Sequence, residues 1–177
     1  APVVMRRRKE EVLLQLPPLT EQTRYTSLTE EQRRLEEEYR NKAARLMKMA
    51  ERRALTKEEQ ELLMKLLVKA RQACNAAELC DPKTHHKGSP KLDEFEALVS
   101  EIVSQGTSKV LVFSEWVEML GLAAQRLERA GIGFETLHGG IPTDKRPSLL
   151  QRFREDPGLQ VLLSSDAGGV GLNLQVA

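Results

Sequence analysis

The sequence lacks the features that would cross-link a small fold or anchor it in a membrane. It has two cysteines among 177 residues, and its longest uninterrupted apolar runs, such as Val110–Phe113, span only a few positions. Two cysteines do not form a disulfide framework, and a transmembrane helix needs about 20 consecutive apolar residues. The first residues do not form a leader with a charged start and an apolar centre. We therefore expect a soluble protein of a reducing compartment, without a membrane partner.

A large excess of charge of one sign is also missing. The net charge is +1, with 30% charged and 40% hydrophobic residues, which is a globular composition. The charge is unevenly distributed, however. Residues 1–90 hold 19 lysines and arginines against 14 acidic residues, whereas residues 91–177 hold 8 against 12. A basic first half is compatible with a polyanion contact and equally with a solvated helical surface, so both interpretations stay open.

Proline and glycine are absent from Leu28 to Cys80, a stretch rich in Glu, Lys, Arg, Leu, Ala and Met. This composition predicts helix. Thr29 is followed by Gln32, and Thr56 by Glu59, at the spacing of a capping box, in which the two side chains satisfy each other's backbone amides. The pattern predicts two long helices that form an antiparallel pair.

The second of these helices is expected to start near residues 54–57 and to have one apolar face. The residues at helical spacing on that face are Leu62, Leu63, Leu66, Leu67 and Ala70. Residues 81–90 contain two prolines, a glycine and adjacent histidines, which are typical of a linker.

Beyond Pro90 the hydrophobic period alternates between helix and strand. Short apolar runs predict strands over residues 109–114, 134–138 and 160–164, and periodic segments predict helices over 91–105, 115–130 and 144–155, with Gly131 as a helix C-cap. Such alternation with short loops predicts an α/β fold with a parallel sheet covered by helices.

Polar and glycine-rich residues follow each predicted strand, in Ser114–Glu115, His138–Gly140 and Ser164–Gly171. Because the carboxyl ends of parallel strands meet at one edge of a sheet, we expect these loops to form one surface. Hydroxyls, an imidazole and backbone amides freed by glycine all suit phosphate. Each loop alone is equally well explained as a tight turn, and Gly168–Gly171 has neither P-loop nor dinucleotide spacing.

The order of these loops resembles a known family. Lys109–Ser114, then Leu137–Gly140, then Val161–Gln175 resemble motifs IV, IVa and V of Swi/Snf-type ATPases of helicase superfamily two. Arg71–Asn75 is similar to part of the family's helical insertion, and Ser89–Leu92 to the entry into its second lobe. The resemblance implies a RecA-like second lobe that ends before motif VI, in a motor that couples ATP hydrolysis to translocation along duplex DNA.

The resemblance also implies three segments. Residues 1–27 would be a connector from the first lobe, 28–88 a helical insertion with its linker, and 89–177 an incomplete second lobe. Asp166 stands where many members carry a basic residue, and Ala76–Ala77 where His-Pro is common, so the subfamily stays open. The expected location is the bacterial cytoplasm, with the nucleoid, or a eukaryotic nucleus.

By matching position, the resemblance assigns contacts with the DNA phosphate backbone and with the nucleotide. The backbone set is Ser114, His138, Gly139, Ser165, Asp166 and Gly169, of which the last two would also shape the turn. Gly171 and Asn173 would approach the nucleotide, and Arg6 and Arg7 are candidate DNA contacts or structural ions.

The expected cofactors are ATP and Mg²⁺. Phosphoryl transfer needs a phosphate cradle with its lysine, an acid for Mg²⁺ and often an arginine. The resemblance implies that the cradle and the acid belong to a first RecA-like lobe, and that the arginine motif lies beyond Ala177. The chain alone is therefore expected not to hydrolyse ATP, and its expected partners are duplex DNA and that first lobe.

Other signals favour structure over chemistry. Cys74, Cys80, His85 and His86 lie close together but lack the spacing of a structural zinc site, so helix packing and a linker are favoured. Trp116 is expected to pack in the core, with base stacking as the alternative. Solvated helix positions are expected for Arg146, Arg152 and Arg154.

Two other functions stay open. The helices of residues 28–80 would dock a protein partner in a non-catalytic module, and exposed apolar side chains on them would favour it. Alternatively, the lobe would belong to a strand-separating DNA or RNA helicase of the same superfamily.

Overall fold

The computed structural model describes residues 20–81, 88–106 and 109–165. Its first two elements are helix α1, Glu30–Ala50, and helix α2, Lys57–Asn75. At the start of α1, Thr29 Oγ1 accepts from the Gln32 amide at 3.2 Å, and Gln32 Oε1 accepts from the Thr29 amide at 3.0 Å. Thr56 and Glu59 repeat both bonds at the start of α2. The predicted capping boxes are confirmed, and they satisfy amides that a helix start leaves without partners.

The two helices are antiparallel. Gln32, near the start of α1, is buried and donates from Nε2 to the carbonyl of Ala73, near the end of α2, at 3.0 Å. The start of one helix therefore lies beside the end of the other. Leu35, Ala73 and Ala77 form the buried seam between them. We refer to residues 30–75 as the helical hairpin.

The apolar face predicted for α2 is only partly buried. Leu66 is buried, but Leu62 and Leu67 are exposed, at 48% and 39%. The reason is geometric. A hairpin of two helices covers one narrow line of each helix, whereas a wider apolar face needs a third packing layer.

The hairpin is joined to the rest of the molecule through shared core and buried polar contacts. Ala76, directly after α2, packs in the same cluster as Leu92 of the following helix. Ser89 is buried, and its hydroxyl donates to the Asn75 carbonyl at 2.6 Å and accepts from the Leu92 amide at 3.2 Å. Lys91 Nζ donates to Asn75 Oδ1 at 2.7 Å. These contacts hold the end of α2 against the start of the next helix.

A three-stranded parallel sheet follows. Helix α3, Pro90–Ser104, leads to strand β1, Val110–Ser114; then come helix α4, Val117–Arg129, strand β2, Gly133–Leu137, helix α5, Arg146–Glu155, and strand β3, Leu159–Ser165. Short 3-10 turns cover Ala77–Leu79 and Thr143–Lys145. The strand order is β1-β3-β2, so β3 lies between the other two. The predicted α/β fold with a parallel sheet and flanking helices is confirmed.

Helices cover both faces of the sheet. The side chains of one face alternate with those of the other along β3: Val161 and Leu163 pack with α3 and α4, and Leu162 packs with α5. On the α5 side, the buried residues are Leu137, Leu149, Leu150, Phe153 and Leu162. Among the described residues, no helix has the length and hydropathy that a membrane span requires.

A lysine fixes the region where α5 turns into β3. Lys109 Nζ donates to the carbonyls of Phe153, Asp156 and Leu159, the last two at 2.9 and 3.0 Å. The ammonium group also lies 4.8 Å from the centroid of the Phe153 ring. Carbonyls at a helix end have no partner within the helix, and a cation there also interacts favourably with the helix dipole.

Two glycines determine how α4 enters β2. Gly131 has φ +69°, and the amides of Gly131 and Ile132 donate back to Glu128 and Leu127, which is a Schellman ending. The predicted C-cap is confirmed.

Gly133, at the start of β2, lies against the backbone of Gly158. A Cβ on Gly133 would overlap the carbonyl oxygen of Gly158, at the point where the β2–β3 register shifts. Only glycine allows this close approach of two backbones.

We therefore predict that Gly133→Ala lowers the free energy of unfolding by about 2 kcal/mol, because backbone must move to relieve the overlap. Gly121→Ala is the matched control: Gly121 lies inside α4 with open space around it, and alanine there is expected to add about 0.5–1 kcal/mol. Urea unfolding followed by circular dichroism measures both. Equal effects of the two substitutions would contradict the proposed backbone contact.

Candidate phosphate-binding edge of the sheet

The three strands end at one edge of the sheet. Ser114, the last residue of β1, pairs with Ser165, the last of β3, and Leu137, the last of β2, pairs with Ser164. Neighbouring strands lie about 4.8 Å apart, so the residues that follow β1 and β2 flank the end of β3. The prediction that these strand ends share one edge is confirmed. We call Ser114–Trp116, His138–Gly140 and Ser164–Ser165 the strand-end edge.

The turn after β1 is held by the Ser114 hydroxyl. Ser114 Oγ accepts from the Trp116 amide at 3.1 Å and contacts the Trp116 carbonyl oxygen at 3.3 Å. This local bond keeps residues 115 and 116 in a turn, which is why α4 begins at Val117 and not at the predicted residue 115. The long contact with the carbonyl is weak, so the hydroxyl proton can rotate to a better acceptor.

The loop after β2 orients an imidazole. His138 Nδ1 accepts from the Gly140 amide at 3.1 Å, and the His138 carbonyl accepts from the Ile141 amide at 3.0 Å in a β-turn. In the neutral ring, an accepting Nδ1 leaves the proton on Nε2, which is then a hydrogen-bond donor. Gly139 lies in this turn and is exposed.

A side chain at position 140 would crowd the ring beside it. A Cβ on Gly140 would lie 3.0 Å from Cε1 and 3.1 Å from Nδ1 of His138, closer than most side-chain contacts. The ring lies this close to Gly140 because its Nδ1 accepts a hydrogen bond from the Gly140 amide. Gly140 therefore serves the orientation of His138.

The end of β3 is less accessible than the other two loops. Ser165 is only 5% exposed, and Ser164 is buried with its hydroxyl donating to the Ser165 carbonyl at 3.1 Å. Of the predicted backbone contacts, the structure brings Ser114, His138, Gly139 and Ser165 to one edge. Their contact with DNA stays a prediction. The other predicted site residues lie outside the described part of the chain: Arg6, Arg7, Asp166, Gly169, Gly171 and Asn173.

The strand-end edge has a neighbour that the sequence did not reveal. Arg71 of the hairpin lies against the turn after β1: its Nη2 is 2.8 Å from Glu115 Oε2, and its guanidinium carbon is 5.8 Å from the centroid of the Trp116 ring. Trp116 also packs against the core cluster that includes α4, as predicted. No local signal could have identified Arg71, because 44 residues separate it from Glu115.

The two cysteines lie in partly buried surroundings. Burial raises the pKa of both the Cys74 and the Cys80 thiols, which disfavours the thiolate that binds metal. Cys80 Sγ lies 3.3 Å from the Lys69 carbonyl oxygen. Within residues 20–81, 88–106 and 109–165 no three or more His, Cys, Asp or Glu side chains form a metal-binding group, and His85 and His86 lie outside these ranges.

Two arginines of α5 make contacts with residues that precede the helix. Arg152 Nη2 forms an ion pair with Glu135 of β2 at 2.7 Å, and Arg146 Nε donates to the Ile141 carbonyl at 3.1 Å. Arg152 and Arg154 are exposed, and Arg146 is half-buried. The predicted solvated positions are confirmed for Arg152 and Arg154, whereas Arg146 fixes the start of the helix.

We predict that Gly140→Ala displaces the His138 ring by a few tenths of an ångström and weakens its bond to the residue 140 amide. The neutral ring should then change from the Nε2–H form towards a mixture of tautomers, because Nδ1 loses its donor. Nitrogen-15 chemical shifts of the His138 ring report the tautomer. Gly121→Ala, with open space, is the control. Unchanged shifts in Gly140→Ala would contradict the orienting role.

Known proteins share sequence similarity with this chain. Residues 93–177 match the helicase conserved C-terminal domain family. The chain is 42% identical over 85 residues to Switch 2 of Arabidopsis thaliana, covering 48% of this chain and 10% of that protein. It is 29% identical over 185 residues to chromodomain-helicase-DNA-binding protein 1-like of Danio rerio, covering 99% of this chain and 17% of that protein. The chain thus spans a small fraction of the length of these curated relatives.

Solved structures agree on the fold. The chain is similar to the SWI2/SNF2 ATPase C-terminal domain of Sulfolobus solfataricus, with a TM-score of 0.68 and 20% identity over 85% of this chain and 65% of that one. It is also similar to the SWI2/SNF2 ATPase core of that organism in complex with dsDNA, with a TM-score of 0.67 and 21% identity over 85% and 31% of the two chains. The predicted resemblance is therefore confirmed: residues 93–177 match the helicase conserved C-terminal domain family, and the chain has the RecA-like fold of the C-terminal lobe of SWI2/SNF2 ATPases.

Proposed function

We propose that this chain is the second RecA-like lobe of an ATP-dependent motor on duplex DNA, and that the strand-end edge holds the phosphate backbone. The observation that carries the proposal is the alignment of the strand ends, which brings Ser114, His138 and Gly139 to one edge. The similarity in fold to a SWI2/SNF2 core in complex with dsDNA supports it.

The chemistry of this edge suits a backbone and not a base sequence. The Ser114 hydroxyl, the Nε2–H of His138 and exposed backbone at Gly139 are donors of the kind that bind phosphate oxygens. Such contacts position a duplex without carrying sequence information, which a motor that moves along DNA requires. In this proposal Ser165, Asp166 and Gly169 complete the grip where β3 ends, and Arg6 and Arg7 are further candidate contacts.

The ATP site is proposed to lie between this lobe and a first RecA-like lobe. Gly171 and Asn173 would contact the nucleotide from this chain, and the first lobe would supply the phosphate cradle and the Mg²⁺ ligands. Bound Mg²⁺ would neutralise charge on the phosphates. We also retain the proposed segments: connector 1–27, helical insertion 28–88 and lobe 89–177.

A second candidate function is protein binding by the helical hairpin. Leu62 and Met64 are exposed, at 48% and 62%, and a groove of about 470 Å³ is lined mainly by apolar side chains that include Met64, Leu67 and Val68. Exposed apolar surface on these helices favours a protein partner. The two functions are compatible, because the groove belongs to the hairpin and the phosphate donors to the sheet.

We predict that the 177-residue chain binds a fluorescein-labelled 20-base-pair duplex weakly, with an affinity that falls steeply as salt rises, because binding phosphates releases counterions. Two duplexes of unrelated sequence should bind equally. His138→Ala should weaken binding about threefold to tenfold, which is the usual effect of losing one hydrogen bond. Fluorescence anisotropy measures all three.

Met64→Ala is the matched control, since it changes an exposed side chain of the hairpin and should leave DNA affinity unchanged. Base-specific binding that persists at high salt, or a preference for single-stranded RNA, would reject the backbone grip. Equal loss in Met64→Ala and His138→Ala would place the binding surface elsewhere.

The catalytic part of the proposal is tested with a protein that contains both lobes. We predict that duplex DNA stimulates its ATPase activity and that RNA does not, whereas the 177-residue chain alone does not hydrolyse ATP, because the phosphate cradle belongs to the other lobe. Stimulation by RNA and not by duplex DNA would favour an RNA helicase.

A further inference from the structure

One side chain connects the helical hairpin directly to the strand-end edge. Arg71, in the last part of α2, forms an ion pair with Glu115 at 2.8 Å and places its guanidinium 5.8 Å from the centroid of the Trp116 ring. Both partners belong to the turn after β1. A planar guanidinium suits this double role, because it donates along its edge and stacks through its face.

The same turn carries Ser114, a proposed phosphate donor. From inside, the turn is held by Ser114 Oγ, which accepts from the Trp116 amide at 3.1 Å. From outside, it is held by Arg71 through the side chains of Glu115 and Trp116. The three residues of the turn are thus restrained from two sides, and one of those restraints comes from a different part of the fold.

We infer that Arg71 is a positioning residue, which holds the Ser114–Trp116 turn in the conformation that presents the Ser114 hydroxyl to phosphate. Through it, the helical hairpin sets the geometry of the strand-end edge. The link to phosphate rests on the proposed function. The restraint on the turn does not, and it can be measured without DNA.

The contact has little effect on global stability. The Arg71 and Glu115 side chains are 66% and 56% exposed, and ion pairs of such exposure contribute little to the free energy of unfolding. The hairpin is instead joined to the lobe by buried contacts at Asn75, Ala76 and Ser89. Removing Arg71 should therefore loosen the turn while leaving the fold intact.

Trp116 provides a direct measurement, because it is the single tryptophan of the sequence. In Arg71→Ala, we expect acrylamide to quench its fluorescence about twofold more efficiently, since the ring loses its guanidinium cover and the turn opens more often. The thermal midpoint should change by no more than about 3 °C. Arg71→Lys, which keeps the charge but not the planar stack, should give an intermediate value.

Arg52→Ala is the matched control. Arg52 is an exposed arginine in the turn between α1 and α2, and it forms no ion pair with any described residue. Its removal takes away the same charge and should leave quenching of Trp116 unchanged. If Arg71→Ala also leaves the quenching unchanged, or raises it only as much as Arg52→Ala does, Arg71 does not position the turn.

The second experiment separates positioning from charge. Arg71→Ala should weaken binding of the 20-base-pair duplex about threefold to fivefold, and Arg52→Ala less. Loss of Arg71 also leaves Glu115 unpaired, and its carboxylate would repel phosphate. The double variant Arg71→Ala/Glu115→Gln removes that repulsion. If Arg71 positions the turn, the double variant recovers only part of the lost affinity; if Arg71 only neutralises Glu115, the double variant recovers wild-type affinity, which would overturn the inference.

The two proposals fail in different ways. If the wild-type chain does not bind the duplex, the proposed DNA grip fails, while the quenching of Trp116 still decides whether Arg71 restrains the turn. If the wild-type chain binds, His138→Ala weakens binding and Arg71→Ala does not, the grip stands and the role of Arg71 is rejected.

Discussion

The pairing of β3 between β1 and β2 is the constraint on which the rest of the structure depends. β3 is paired along both sides and buried on both faces, with Val161 and Leu163 against one helical layer and Leu162 against the other. The middle of such a parallel strand, here Val161–Leu163, is apolar because neither face meets water. Since all three strands run in the same direction, their carboxyl ends meet at one edge, and that edge receives the polar loops.

The hairpin combines its own packing with a fixed attachment to this lobe. Its seam is narrow, with Leu66 buried but Leu62 and Leu67 exposed. The end of α2 is fixed by Ala76 in the lobe core and by the bonds of Ser89 with Asn75. Because the end of α2 is attached at these points, the exposed side chain of Arg71 is held beside the turn that follows β1. The hairpin thereby gains a proposed role in shaping the edge, although it contributes little to the core.

Most of the fold was predictable because its signals are local. Capping boxes at Thr29 and Thr56, the ending at Gly131 and the alternation of short apolar strands with helices each depend on a few neighbouring residues. The candidate site was predictable in its location, since any parallel sheet brings its strand ends together. The tautomer of His138 was not predictable from the sequence. It depends on the distance between Nδ1 and the Gly140 amide, which is set by the conformation of the turn.

The amino-acid sequence alone determined the order and type of the elements and the family that the lobe resembles, because periodicity, caps and motif order are properties of the chain itself. Tertiary structure alone decided the strand order, the burial of Ser165, the exposure of Leu62 and Leu67 on the predicted apolar face and the contact of Arg71 with Glu115 and Trp116. These depend on which distant residues share a layer or a surface, and packing in three dimensions sets that choice.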